Sequence, residues 1–205
     1  MIKNLKLGGI LLIITMISGL LLGFANDLTK EAIIENSKIS KEDLSYIMPL
    51  AEKIQDTDIQ LEEDDSIKEV YEAVSGNDVI GYVMKVRTKG FHGDVDFVVA
   101  ISNEDIVTGM KVLSHSETPG LGAKITEEYF TERFRNKPAT ELLEVVKVTP
   151  NSDIEVEAIS GATSSSKASV NAVNEAITFY LNKIKGQVVD LQEEATDVNT
   201  AASSN

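Results

Sequence analysis

The chain has 205 residues, a formal net charge of −14 and no cysteine. That acidity argues against nucleic acid or an anionic membrane surface as a partner. The missing thiols remove disulfides, thiolate catalysis and cysteine-ligated iron–sulfur clusters together, so an electron carrier built on this chain needs an organic cofactor.

Residues 7–25, from Leu7 to Ala25, carry no charge and are mostly Leu, Ile and Gly. At about 1.5 Å per residue this run nearly crosses a hydrocarbon core of about 30 Å and reads as a bilayer anchor. Lys3 and Lys6 precede it and Asp27 follows, which predicts a cytoplasmic N-terminus and an extracytoplasmic remainder at the cell membrane. The alternative is a cleaved signal peptide ending at Gly23-Phe24-Ala25, but the run exceeds the roughly 7 to 15 residues of such an apolar region. The domain reading is an anchor at 1–26, a juxtamembrane helix and acidic connector at 27–75, a main domain at 76–186 and a disordered acidic tail at 187–205.

Leu28, Ala32 and Glu35 predict a helix from Asp27 to Ser45. Residues 52–72 are dominated by Glu and Asp against Lys53 and Lys68 only, the composition of a solvated, peripheral segment. Strands are predicted at Val79 to Arg87, Val95 to Ile101, Ile106 to Leu113, Leu143 to Val148 and Ile154 to Ile159, with a hairpin at Ser102 to Asp105. Thr126 to Asn136 reads as helical, with Phe130 and Phe134 one turn apart as core. The fold class is therefore α+β, with a mainly antiparallel sheet and packed helices.

The most telling segment is Ser160-Gly161-Ala162-Thr163. Before it, Ile154-Glu155-Val156-Glu157-Ala158-Ile159 alternates as a strand does; after it, Val170, Val173, Ile177, Leu181 and Ile184 recur at helical spacing until Gly186. The tetrapeptide is thus a strand-to-helix turn, with Gly161 free to take an unusual conformation and Thr163 at or near the N-cap. A helix start presents unpaired N–H groups and a positive dipole end, so it suits a phosphate. On this chemistry alone, a simple helix cap is the better reading of Thr163.

Elsewhere, His115-Ser116-Glu117-Thr118-Pro119-Gly120-Leu121-Gly122-Ala123-Lys124 reads as a turn that allows close backbone approach, and Lys89-Gly90-Phe91-His92-Gly93 precedes a core strand. The two histidines lie in separate loops and belong to no metal-spaced motif, and no P-loop or dinucleotide fingerprint is present.

These three runs, from about residue 79 to 180, resemble the membrane-associated FMN-binding domain family, which includes the G subunit of Rnf ferredoxin:NAD+ oxidoreductase complexes and the C subunit of Na+-translocating NADH:quinone oxidoreductase. The resemblance implies FMN bound through a phosphoester to Thr163, with Ser160, Gly161 and Ala162 around the link and Glu117, Thr118, Gly120, Leu121 and Gly122 in a loop against the flavin. It also implies an electron-carrier role in a translocase moving Na+ or H+, with other Rnf subunits and a flavin transferase as partners. A quinone-reductase C-type subunit, a stand-alone flavinylated carrier and a non-redox binding domain are the alternatives.

Overall fold

A computed structural model describes residues 2–36, 39–61 and 66–187. It falls into two units, residues 1–39 and the remainder from Ser40. The first is one helix, α1 (Ile2–Asn36), of which Lys6–Thr29 is long and apolar enough to cross a membrane. Its Leu7, Ile10, Leu11, Leu12, Ile13 and Ile14 are all exposed, as a lipid-facing surface requires. The expected helix from Asp27 to Ser45 is therefore two: α1 runs on to Asn36, and a separate α2 (Lys41–Ile47) follows. The break has a local cause. Ser40 caps α2 by accepting from the Asp43 N–H while the Asp43 carboxylate accepts from the Ser40 N–H, a reciprocal capping box. Ser40→Ala is expected to cost about 1 kcal/mol in urea unfolding of the full chain.

The second unit is built on a six-stranded antiparallel sheet in simple chain order: β1 (Lys53–Asp56), β2 (Ile67–Ser75), β3 (Asp78–Lys89), β4 (Asp94–Ser102), β5 (Ile106–Ser114) and β6 (Lys137–Pro138). The three central strands fall where the alternation placed them, each slightly longer than expected. The acidic stretch differs. β1 lies near its start and β2 at its end, and Ile67 and Val70 are core residues, so the part from Ile67 onward is core-facing sheet and not a solvated connector. Glu69 faces Lys85 at 3.1 Å, and Glu72 accepts from Gln55 Nε2 at 2.7 Å. The expected tail, and Glu62 to Asp65, lie outside the described residues.

One face of the sheet carries Met84, Val86, Val95, Phe97, Val99, Ile101 and Met110 into the core. α4 (Thr163–Phe179) covers that face, burying Val170, Val173 and Ile177; a wider helical turn continues to Ile184, and Gly186 at φ +69° ends it. Hydrogen bonds at both ends hold α4 and its extension along the sheet. Thr88 donates to Ala168 O at 2.9 Å near its start, and the Tyr180 hydroxyl donates to Asp105 at 2.6 Å near its end. Burial first, and then the Asp105 carboxylate, push the Tyr180 phenol up to about 12, so it stays a donor at neutral pH.

α2 packs against β5. A Cβ at Gly109 would stand 2.9 Å from both Ile47 Cα and Ile47 O, and the ladder skips Thr108, whose hydroxyl donates to Ile47 O at 2.7 Å. The stretch expected as a helix from Thr126 to Asn136 is a broken one. A 3-10 turn at Gly122–Thr126 leads into α3 (Glu128–Thr131) and a second turn at Glu132–Phe134. Phe130 and Phe134 are fully buried in edge contact at 5.4 Å, as expected of core residues. The last two predicted strands shrink to β7 (Glu144–Val146) and β8 (Glu155–Glu157), which pair in parallel in a small second sheet.

Candidate functional site at the start of α4

The turn after β8 brings Ser160 and Gly161 out to solvent, and Gly161 takes φ +79°, a left-handed value that favours glycine. The cap position belongs to Ala162, and Thr163 is the first residue of α4. This is one residue from the capping role expected of it, and the consequence is chemical. Thr163 spends its hydroxyl on no cap: the side chain is half-exposed and makes no hydrogen bond among the described residues.

Ser166 does the local work instead. Its Oγ donates to Ala162 O at 3.0 Å and accepts from the Ile159 N–H at 2.9 Å, tying β8's exit to the helix's first turn. No side chain caps the helix, so the N–H groups of its opening turn remain available to a ligand. Ser165, buried beside it, points the other way.

There it meets Glu117, in the loop that follows β5. Ser165 Oγ donates to Glu117 Oε2 at 2.5 Å, while the Phe91 and His92 N–H groups donate to Glu117 Oε1 at 2.7 and 3.1 Å. Burial raises the carboxyl's pKa, but the hydrogen bonds from Ser165, His92 and Phe91, with the nearby His92 ring, outweigh it, and Glu117 ends below the usual glutamate value. It is a buried, ionised carboxylate held by neutral donors. The histidines support the same join: His115 Nδ1 accepts from the Glu117 N–H at 3.1 Å, and His92 Nδ1 lies 3.2 Å from the Thr118 hydroxyl.

This arrangement reassigns the nearby glycines. A Cβ on Gly90 would run into Glu117 Oε1, and one on Gly122 into Glu117 Oε2 and, at 2.5 Å, Ser165 Oγ. Gly90 and Gly122 therefore make room for the Glu117 carboxylate. Gly120, at φ +75° with open space around it, serves the turn.

Two clefts flank Thr163. The smaller, about 160 Å³, is lined by Phe91, Glu117, Thr118, Leu121 and the start of α4. The larger, about 560 Å³, is lined by Lys124, Tyr129, Arg133, Lys147, Glu157 and the Ser160–Gly161 turn. Its volume suits a cofactor-sized ligand. Of the residues expected at the site, Ser160 to Thr163, Glu117, Thr118, Leu121 and Gly122 line these two clefts, and Gly120 lines neither. The structure adds Tyr129, Arg133 and Lys147, which the sequence did not single out. An open hydroxyl, a free helix start and cationic side chains around a cleft fit a phosphorylated, ring-bearing cofactor.

Residues 90–178 match the FMN-binding domain family model, a span that contains all of these groups. The chain is 32% identical to the G subunit of the Na+-translocating ferredoxin:NAD+ oxidoreductase complex of Acetobacterium woodii, over 88% of this chain and 93% of that one. It is 38% identical to the G subunit of the proton-translocating ferredoxin:NAD+ oxidoreductase complex of Clostridium ljungdahlii, over 54% and 58% of the two chains. Among solved structures, Shewanella oneidensis NqrC aligns over 72% of this chain and 78% of its own, with 19% identity and a TM-score of 0.49. On the near full-length match to the Acetobacterium protein, with the FMN-binding domain laid over the site, the chain belongs to the G-subunit family of ion-translocating ferredoxin:NAD+ oxidoreductase complexes.

Proposed function

We propose that this chain is the flavin-bearing electron carrier of a membrane-bound Rnf-type complex, with FMN joined through its phosphate to the Thr163 hydroxyl. The observation that carries the reading is that hydroxyl: on the first residue of α4, half-exposed, free of hydrogen bonds among the described residues, and on the wall of a cleft large enough for the cofactor. FMN, once attached, supplies one- and two-electron redox chemistry, which no side chain here offers.

The protein's part is placement. Gly161 lets the backbone turn tightly at the link, Ala162 is small, and the open N–H groups of α4 favour the phosphate's charge. Leu121, half-exposed and 3.7 Å from where a Gly161 Cβ would stand, lines the smaller cleft beside the link. Thr118 and Gly120 shape that same loop. α1 anchors the chain in the bilayer through residues 7–25, with the N-terminus cytoplasmic and the redox domain outside, where a covalent link keeps FMN from being lost. The other members of the complex exchange electrons with it, and a flavin transferase loads it.

Digestion of the native protein with trypsin yields residues 148–167 as one peptide, since Lys147 and Lys167 bound it with no Lys or Arg between. Mass spectrometry is expected to find that peptide carrying FMN, with fragmentation placing the adduct on Thr163. An unmodified peptide, or an adduct on Ser160 or Ser164, overturns the reading.

A further inference from the structure

Thr163 stands between two clefts of opposite electrostatic character, and a phosphate linked to it must lie toward one of them. We propose that Lys124, Arg133 and Lys147 form the seat of the flavin phosphate in the larger cleft, the Glu117 side being closed to it; this rests on the reading of Thr163 as the tether.

Charge separates the two sides first. The larger cleft brings three cations together against a single carboxylate, Glu157, in a chain whose net charge is −14. Glu157 does little to cancel them, since its carboxylate is 3.7 Å from Arg133 Nη2 and the side chain is 43% exposed, a weak surface pair. On the smaller side the charged group in the lining is Glu117, buried and ionised, with its oxygens already committed to Phe91, His92 and Ser165. A phosphodiester on that side would bring a second negative charge against it with no cation in the lining. Volume points the same way, about 560 Å³ against about 160 Å³.

Arg133 is also fixed before any ligand arrives. It donates to Glu157 O on β8, and its guanidinium carbon sits 5.6 Å from the ring centres of both Tyr129 and Phe130. Phe130 is fully buried, so the platform beneath Arg133 is rigid. A guanidinium has five N–H donors in a planar fork, and one used on a backbone carbonyl leaves others for phosphate oxygens. Little side-chain entropy remains to be lost on binding. Lys124, in the turn after the Glu117 loop, and Lys147, just past β7, approach from two other elements and complete the positive wall.

The test compares the full chain in its own host with a triple variant, Lys124→Gln/Arg133→Gln/Lys147→Gln, and with a charge-matched control, Lys41→Gln/Lys53→Gln/Lys68→Gln, whose residues line neither cleft. Two quantities are read: covalent FMN per chain soon after induction, and the gain in melting temperature of loaded over unloaded protein as salt is raised. The cleft variant is expected to load roughly tenfold less than wild type, the control to load normally. The loaded wild type should lose part of its melting gain in salt, whereas the residual loaded cleft variant should show no such salt dependence. Normal loading with unchanged salt dependence overturns the proposal. Reduced loading with unchanged salt dependence overturns it too, because the cations would then serve only the loading enzyme. Label that persists in Thr163→Val would instead sink the tether reading.

Discussion

Thr163→Val is expected to give a folded, membrane-bound chain that has gone from one covalent flavin to none. Valine keeps the β-branched shape, and the lost hydroxyl makes no hydrogen bond among the described residues, so stability should change by no more than about 0.5 kcal/mol. The loss of label is complete because the reaction has no substitute nucleophile at that position. Fluorescence of the denatured band under ultraviolet light reads the result directly. Thr163→Ser should keep part of the label, since a hydroxyl remains. A valine variant that still fluoresces, with the adduct moved to the exposed Ser164, would show that the place on the helix and not the threonine decides attachment.

Glu117→Ala is expected to be the most destabilising single change at the site. It orphans the Phe91 and His92 N–H groups, removes the acceptor of the buried Ser165 hydroxyl, and empties the space that Gly90 and Gly122 keep clear. Charge-assisted hydrogen bonds run at about 1.5–3 kcal/mol each and do not add in full, so a loss of about 3 kcal/mol is expected. That corresponds to roughly 6–12 °C in melting temperature for a domain of this size. Flavin loading should fall with it, since the clamp fixes the first turn of α4 on which Thr163 sits. Glu117→Gln should recover most of both, because an amide oxygen can accept from the two N–H groups while its NH2 donates to Ser165.

The acid dependence follows from the lowered pKa of Glu117. A depressed folded value adds stability that is present above the ordinary glutamate value of about 4.3 and is lost as pH falls through the folded value. The wild-type advantage over Glu117→Gln should therefore be full at neutral pH and vanish in strong acid. Urea melts at a series of pH values from 7 downward compare the two, and an advantage that does not shrink as pH falls below about 4.3 contradicts an ionised clamp.

The parts of this fold legible in the sequence were those whose own residues carry the signal. β3, β4 and β5 alternate cleanly and join through short turns, and α4 repeats its apolar residues at helical spacing. β2 hid because Lys68, Glu69 and Glu72 break its alternation and a register shift between Ile67 and Glu69 changes which residues face inward. The SGAT turn and the Glu117 loop were visible as motifs, but motifs do not say which atoms meet. That Glu117's partners are Phe91, His92 and Ser165 depends on three separate elements converging. The basic wall was invisible for the same reason: Lys124, Arg133 and Lys147 stand far apart in sequence and meet only once the broken helix folds back over β8.

The sequential order of the sheet has a bearing on biosynthesis. Each strand from β2 to β6 pairs with the one made just before it, so the sheet can assemble as the chain emerges, without waiting for later segments. α4 is made after all six strands of that sheet, and until it docks on them Thr163 has no Glu117 clamp and no cleft beside it. A chain that stalls, truncates or misfolds before that step presents nothing resembling the mature substrate. With Thr163 as the tether, the surroundings that the cofactor joins are complete only in molecules that have finished folding.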